Sequence, residues 1–539
     1  MKADKILVIG WDGATFDIID PLVKEGRMPN MAALMKRGMS GPLASTIPAV
    51  TPVAWTSYMT GVNPGKHGIF DAFVMDRKAK AMRFVSASRR RVKPIWTILS
   101  ERGRKASAIN TPVTYPPDKV SGACISGMFT PPAAEDFMHP PGLYEELTAK
   151  FGRYLESPAM YPEHERYLES LLSGIDWRAD LTLYLMNREP WDFFSSVFME
   201  SDRVQHFFWE FRDPAHPRHA ELGDAIEQVY IRLDAALGRL VAGLPENAAV
   251  AMLSDHGAGP LRTAVFLNKW LMDQGYLTVR QDLRELFTPK KPSALRRLAG
   301  KAARAVMPES MRQARQKQKA GQMNRINDLF CQVVDWDKSV AMSDGVSGGI
   351  FLNNEALAPE KRAALVTELK AGLLALTDPA TGGKPFEAVY EPGEIYRGDA
   401  VSEAPDLITV CAPGYGVIVP HEFLLYSQDY LDSVFVKHRW SGRHEPYGIF
   451  LLSGPGVVPD SRVAPSMPDV APAILYALGE EIPEYMDGRV PADGFDPAVL
   501  AERPPRGSRE SGNAERGEEA YAGEDELEMA EGLKDLGYM

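Results

Sequence analysis

Seven side chains in this sequence are of the types that hold and use divalent cations, and they fall in an ordered series. Asp12 lies in Gly10-Trp-Asp-Gly13, and Thr51 opens Thr51-Pro-Val-Ala-Trp-Thr-Ser-Tyr-Met-Thr-Gly61. Asp202 and His206 are four apart, Asp255 and His256 are adjacent in Ser254-Asp-His-Gly257, and His444 stands in Ser441-Gly-Arg-His444. Carboxylates and imidazoles without a thiolate suit zinc, with manganese or iron as alternatives. Two such ions ~3.5–4 Å apart can clamp a phosphoryl group, one at the nucleophile and one at the leaving oxygen. A threonine hydroxyl is a weak nucleophile at its ordinary pKa, and coordination to a cation lowers that pKa. Any one of these residues alone reads more simply as a cap, a turn or a surface group. The weight lies in the ordered set.

The elements that must carry the set are legible as hydrophobic patterns. Ile6–Ile9, Phe193–Met199 and Ala248–Leu253 are short apolar runs, and an acid follows each of them. Between the runs lie helical patterns such as Leu222–Val241, with apolar residues at three- and four-residue steps. Alternating strands and helices imply an α/β chain with a central, mostly parallel sheet flanked by helices. Ligand sites form at the C-terminal edge of such sheets. Asp-Gly also ends strands simply because it turns well, but three acidic endings, two of them near a histidine, go beyond that. The four-residue step of Asp202 and His206 puts both on one face of a helical turn. Adjacent Asp255 and His256 on a turn can diverge toward two ions.

With these residues in view, the chain resembles the alkaline phosphatase superfamily, nearest its type I phosphodiesterase/nucleotide pyrophosphatase branch. The likeness rests on the segments just quoted and on His67-Gly-Ile, Ala404-Pro-Asp-Leu, Pro468-Asp-Val-Ala-Pro-Ala-Ile-Leu-Tyr-Ala-Leu-Gly479 and Met486-Asp-Gly-Arg. It spans residue 4 to about 490. The resemblance implies two metal sites, zinc or manganese: Asp202, His206 and His444 in one, and Asp12, Asp255, His256 and the Thr51 oxygen in the other. It further implies that Thr51 attacks phosphorus to form a phosphothreonine, which water then hydrolyses. The expected activity is that of a two-metal phosphoester hydrolase, a phosphodiesterase. A phosphomonoesterase, a phosphomutase or phosphotransferase, and a non-catalytic phosphate-ligand binding protein are the alternatives on the same scaffold.

The chain departs from the branch in places. Nucleotide pyrophosphatases place an Asn shortly after His-Gly-Ile, where this chain reads Phe70-Asp71-Ala72. That weakens the case for nucleotides, with Asn110, Lys66 or an arginine of the cap as substitute donors. Pro52 follows the nucleophile directly, and the sulfatase signature is absent. His67 reads as structural. His438 competes with His444 as a ligand, and the Ser-Gly-x-His pattern before an apolar run favours His444. Trp55, Trp209 and Trp440 lie near motif residues and read as core packing before pocket walls.

Composition bounds the rest. The chain has 539 residues, 45% apolar and 24% charged, with 60 Lys+Arg against 72 Asp+Glu. That excludes a disordered chain and a generally basic nucleic-acid-coating protein, and no nucleic-acid-binding module is expected. Cys124, Cys331 and Cys411 lie far apart and suit a reducing compartment. No apolar run reaches the ~18 residues of a membrane span, and the N-terminal apolar stretch is too short for a secretory signal. A cytoplasmic protein acting on a small anionic phosphoester is the expectation.

Residues 1–274 and 346–500 read as two parts of one alkaline phosphatase-like core. Residues 275–345 read as a basic inserted cap or lid, with thirteen Lys/Arg against three acids over 280–325. The insertion is read as a solvated helical segment, as an attractor of anionic substrate, or as a peripheral contact with an anionic membrane. Residues 501–539 read as an acidic, largely flexible tail. Within it Pro504-Pro-Arg-Gly-Ser-Arg-Glu-Ser-Gly512 reads as a flexible linker and 503–522 as disordered, and Leu527, Leu533 and Leu536 suggest a short docking helix.

Overall fold

The structure, a computed structural model, describes residues 2–131, 134–154, 156–280, 331, 334–344, 347–417, 433–514 and 521. The basic stretch from 281 and the leucines of the tail lie outside the described residues.

The three apolar runs become neighbouring strands. Lys5–Trp11 pairs in parallel with Phe193–Phe198 on one side and Ala248–Leu253 on the other. Ala106–Thr111 and Cys124–Ser126 continue the parallel sheet beyond Phe193–Phe198, and antiparallel Met138–His139 ends it. On the far side Tyr447–Ser453 joins Ala248–Leu253 antiparallel, followed by Gly38–Ala44 and Ser461–Arg462, making nine strands. Alternation along the first strand decides which face each side chain enters. Ile6 and Val8 join the core with the helices Thr51–Thr60 and Val470–Leu478. Leu7, Ile9 and Trp11 join the core with His164–Arg188 and Ala225–Val241. Both faces are thus covered, as a parallel sheet requires.

A second, four-stranded antiparallel sheet is built from Ala341–Asp344, Gly349–Leu352, Leu407–Cys411 and Phe386–Tyr390. Three short strands, Thr263–Val265, Tyr415–Val417 and Phe435–Val436, pair beside it. Among the described residues no helix is long and apolar enough to cross a membrane, and Cys124, Cys331 and Cys411 form no disulfide with one another.

The stretch 503–514 corrects the linker expectation. Gly507-Ser508 pairs in parallel with Ile482-Pro483, Val92 bridges Asn513, and Glu510 pairs with Arg102 at 2.6 Å. Backbone pairing and the ion pairs Arg102–Glu510 and Arg509–Glu484 hold it, and neither needs the apolar side chains whose scarcity suggested flexibility. Tyr521 stacks on Tyr115 with ring centroids 5.9 Å apart.

His67 is structural, as its setting suggests. It is fully buried, its Nε2 lies 2.9 Å from Ser57 Oγ, and its Nδ1 accepts from the Ile69 N–H at 3.1 Å. It therefore braces the helix that begins at Thr51. Burial, helped by the Arg90 charge, pushes its pKa down to about 3. The imidazole stays neutral in the fold but takes up a proton near pH 6.5 when unfolded, so its contribution to stability is complete above that pH and drains away below it. We expect the stability gap between wild type and His67→Gln to narrow by about 2 kcal/mol between pH 7 and pH 5. Paired urea melts at the two pH values check this, and an unchanged gap would contradict the neutral assignment.

Candidate active site

The seven residues arrive from five places. Asp12 follows the first strand, Asp202 and His206 lie on the helix Glu200–Phe208, and Asp255 and His256 follow Ala248–Leu253. Because these three strands are parallel and adjacent, all the acids lie at one edge of the sheet. His444 comes from Gly442–Glu445, which pairs antiparallel with Gly257–Pro260 and sets His444 opposite Ala258. Thr51 is the first residue of a helix buried along its whole length. That end carries the positive end of the helix dipole.

Two glycines make the convergence sterically workable. A Cβ on Gly10 would come within 2.4 Å of the Trp55 ring. Gly13 has φ +67°, a left-handed backbone that favours glycine, and a Cβ there would sit 3.0 Å from Asp202 Cα.

The side chains then meet. His206 Nε2 is 3.1 Å from Asp202 Oδ1 and 3.0 Å from His444 Nε2, and His444 Nε2 is 3.5 Å from the same carboxylate oxygen. His256 Nε2 is 3.2 Å from Asp255 Oδ2, 3.7 Å from Asp12 Oδ1 and 3.2 Å from Thr51 Oγ1. The donor atoms of Asp12, Asp255 and His256 lie within 4.8 Å of one another, and so do those of Asp202, His256 and His444. His256 therefore stands between two groups that form one continuous pocket, and its ring stacks on that of His444 with centroids 3.7 Å apart. All seven residues expected from the sequence are brought together. His438 is not among them: its Nδ1 accepts from the Trp440 N–H at 3.0 Å.

The tautomers follow from backbone partners. His206 Nδ1 faces Gly442 O at 3.0 Å, His444 Nδ1 faces Ala49 O at 3.1 Å, and His256 Nδ1 faces Gly257 O at 2.9 Å. A carbonyl only accepts, so each Nδ1 carries the hydrogen and each ring, in its neutral form, turns a lone pair at Nε2 inward. One oxygen of each inner carboxylate is held by a donor: Asp12 Oδ2 by the Trp55 indole at 2.8 Å, and Asp255 Oδ1 by the Gly13 N–H at 3.2 Å. The other oxygens, Asp12 Oδ1 and Asp255 Oδ2, are buried without a hydrogen-bond partner. Acceptors thus face acceptors, an arrangement that polar burial penalises unless a cation lies among them. The residues fit a divalent metal on this ground.

The pKa directions agree. Burial, with repulsion from Asp255 and Asp202, holds Asp12 well above the usual carboxylate range. Burial likewise raises Asp255 and lowers His256 and His444. Burial alone would raise Asp202 as well, but attraction to His206 and His444 in their protonated form outweighs it and holds it well below that range.

A buried shell positions these groups. Gln205 donates to Gly13 O at 2.8 Å and accepts from Tyr230 OH, which itself accepts from the Thr15 N–H. Ser201 Oγ donates to Asp12 O, and Ser254 Oγ donates to His256 O, both at 2.7 Å. Gln205 and the indole N–H of Trp55 are the contributions the sequence reading missed. Position beside a ligand was the one signal for Gln205, and Trp55 reads equally well as core.

The proposed substitutes for the missing Asn do not serve. Asn110 donates to Glu156 O and Val197 O, and Lys66 Nζ donates to Tyr485 O and pairs with Asp487. A cap arginine beyond Arg280 lies outside the described residues. The Asp71 carboxylate accepts from the Ser347 N–H at 3.1 Å and ties the second sheet to the core.

A family model described as type I phosphodiesterase / nucleotide pyrophosphatase matches residues 6–422. Among curated proteins, none matches the chain by sequence. A solved structure of phosphonoacetate hydrolase from Sinorhizobium meliloti 1021, in complex with phosphonoformate, is similar at 14% identity and a TM-score of 0.53, covering 88% of this chain and 95% of its own. An inactive variant of murine ectonucleotide pyrophosphatase / phosphodiesterase 5, in complex with AMP, is similar at 15% identity and a TM-score of 0.50, covering 90% and 97%. With the family match spanning most of its length, the chain belongs to the type I phosphodiesterase / nucleotide pyrophosphatase family, hydrolases of phosphoric ester bonds.

Proposed function

We propose that this chain is a divalent-metal-dependent phosphodiesterase that works through a phosphothreonine on Thr51. One observation carries the reading: three inward-facing imidazole lone pairs, two orphaned carboxylate oxygens and one buried hydroxyl share a single pocket. Asp202, His206 and His444 would hold one ion, and Asp12, Asp255, His256 and the Thr51 oxygen the other. The nitrogen and oxygen donor set suits zinc, with manganese as the alternative. Bound there, the ions supply positive charge to the nucleophile and to the oxygens of the phosphoryl group.

The chain's own residues do the rest. The start of the Thr51 helix sets the hydroxyl in the pocket, 3.2 Å from His256 Nε2, so the oxygen is held where it can attack phosphorus. Attack on phosphorus forms the Thr51 O–P bond and breaks the bond to the leaving oxygen, which departs as an alcohol. Water then breaks the Thr51 O–P bond and releases a phosphomonoester, restoring the hydroxyl. That AMP and phosphonoformate are the ligands of the two solved neighbours supports a phosphorus oxyanion as the ligand class here.

The test is turnover of bis(4-nitrophenyl) phosphate against 4-nitrophenyl phosphate, with and without chelator. We expect the diester to be faster by at least roughly tenfold and chelator to abolish both rates. A monoester preference would make the protein a phosphatase. Phosphate transfer to an added alcohol would make it a transferase. Full activity in a metal-free preparation would end the reading.

A further inference from the structure

Beside the cluster lies a cavity of about 370 Å³, within the range of small-molecule sites. It begins at His206, His444 and Val50, the residue before the nucleophile, and its walls are largely apolar: Ile47, Leu261, Val410, Tyr415, Val417 and Trp440 line it. The Trp440 ring lies over His206, with centroids 4.4 Å apart, so the apolar wall reaches the imidazole itself.

Charge in this cavity is scarce and already committed. Arg443 donates to the backbone carbonyls of Ala412, Cys411 and His444, and it pairs with Glu445 at 3.6 Å. Glu387, exposed at the rim, adds a second carboxylate. Among the described lining residues, two carboxylates therefore face one guanidinium whose donors are in use, and no lysine lines the space. Beyond the ion that His206 and His444 would hold, a leaving group carrying several negative charges, such as pyrophosphate, would meet the Glu387 and Glu445 carboxylates. An uncharged apolar group would gain from burial.

The position of the cavity says which part of a substrate it receives. Thr51 keeps company with Asp12, Asp255 and His256. An in-line displacement expels the leaving oxygen on the side away from the nucleophile, and the cavity opens from His206 and His444 instead. We propose that this cavity receives the leaving alcohol of a phosphodiester and selects one that is uncharged and apolar, an aryl or alkyl alcohol, over a pyrophosphate. The inference rests on the phosphodiesterase reading above.

A series of methyl 4-alkylphenyl phosphates tests it, because their phenols differ little in acidity while the alkyl group grows from methyl to hexyl. With the metal-loaded full chain, kcat/KM should rise roughly threefold per methylene until the cavity is filled. ATP should be cleaved at least about 100-fold less efficiently than the hexyl compound. Val417→Lys, which puts a cation in the wall, should flatten the series and raise ATP at least about tenfold relative to the hexyl compound. The wild-type series stands by itself if that variant does not fold. Turnover with no dependence on alkyl length, or ATP cleaved as well as the hexyl compound, overturns the cavity's role while leaving the hydrolase intact. Silence toward every diester overturns the hydrolase reading and this one with it.

Discussion

Thr51→Ala should lower kcat on a phosphodiester by at least about 10⁴-fold while most of the bound metal stays in place. The hydroxyl is buried, begins a helix buried along its length, and lies 3.2 Å from His256 Nε2, among the residues that would hold the ion. Removing it deletes the atom that bonds to phosphorus. Asp12, Asp255 and His256 remain as three donors for that ion, and Asp202, His206 and His444 are untouched. Thr51→Ser keeps the oxygen and loses a methyl that holds the rotamer, so it should retain activity to within about thirtyfold. Acid quenching of a turnover with substrate labelled at phosphorus should trap a phosphoprotein in wild type and in the serine variant, and none in the alanine variant. An alanine variant that works at the wild-type rate would mean that water attacks directly and that Thr51 serves only to begin its helix.

How much of this site could be read in advance depends on how local each contribution is. Asp12, Asp202 and Asp255 announce themselves because a buried strand and the acid after it are neighbours in sequence, and the parallel pairing of the three strands brings the acids to one edge. The step from Asp202 to His206 is one helical turn, and the helix Glu200–Phe208 supplies it. His444 is different. Its place depends on Gly442–Glu445 pairing with Gly257–Pro260 across a long stretch of chain, which no local pattern specifies, and only the likeness to a known motif selected it over His438. Trp55 shows another limit. Its indole reaches Asp12 because Gly10 leaves room for the ring, and a side chain that both fills the core and donates one hydrogen bond looks like core alone. Asn110 and Lys66 were chemically suited to replace the missing amide, but nearby carbonyls take their donors. Donor capacity is visible in a sequence, whereas the partners that consume it are set by the fold.

The second large effect concerns Asp255, where stability and function should move in opposite directions. Its Oδ1 accepts from the Gly13 N–H, while its buried Oδ2 has no hydrogen-bond partner and stands 3.2 Å from an imidazole nitrogen that also accepts. Asp255 and Asp202 raise Asp12, and Asp202 raises Asp255, so without a cation the pocket gathers acidic groups out of water. Asp255→Asn removes one charge, keeps an oxygen for Gly13 and offers an N–H to His256. In chelator the variant should therefore be more stable than wild type, by about 2–4 kcal/mol or roughly 2–4 °C in Tm. With zinc present the order should reverse, because wild type gains binding free energy that the variant, one metal equivalent short, cannot. Activity should fall at least about 10³-fold. Scanning calorimetry of both proteins with and without zinc, alongside metal analysis, makes the crossing visible. A variant less stable than wild type in both conditions would show Asp255 to be an ordinary structural carboxylate. Crossed curves would show that the charges this pocket gathers are tolerated in the native protein because cations bind among them.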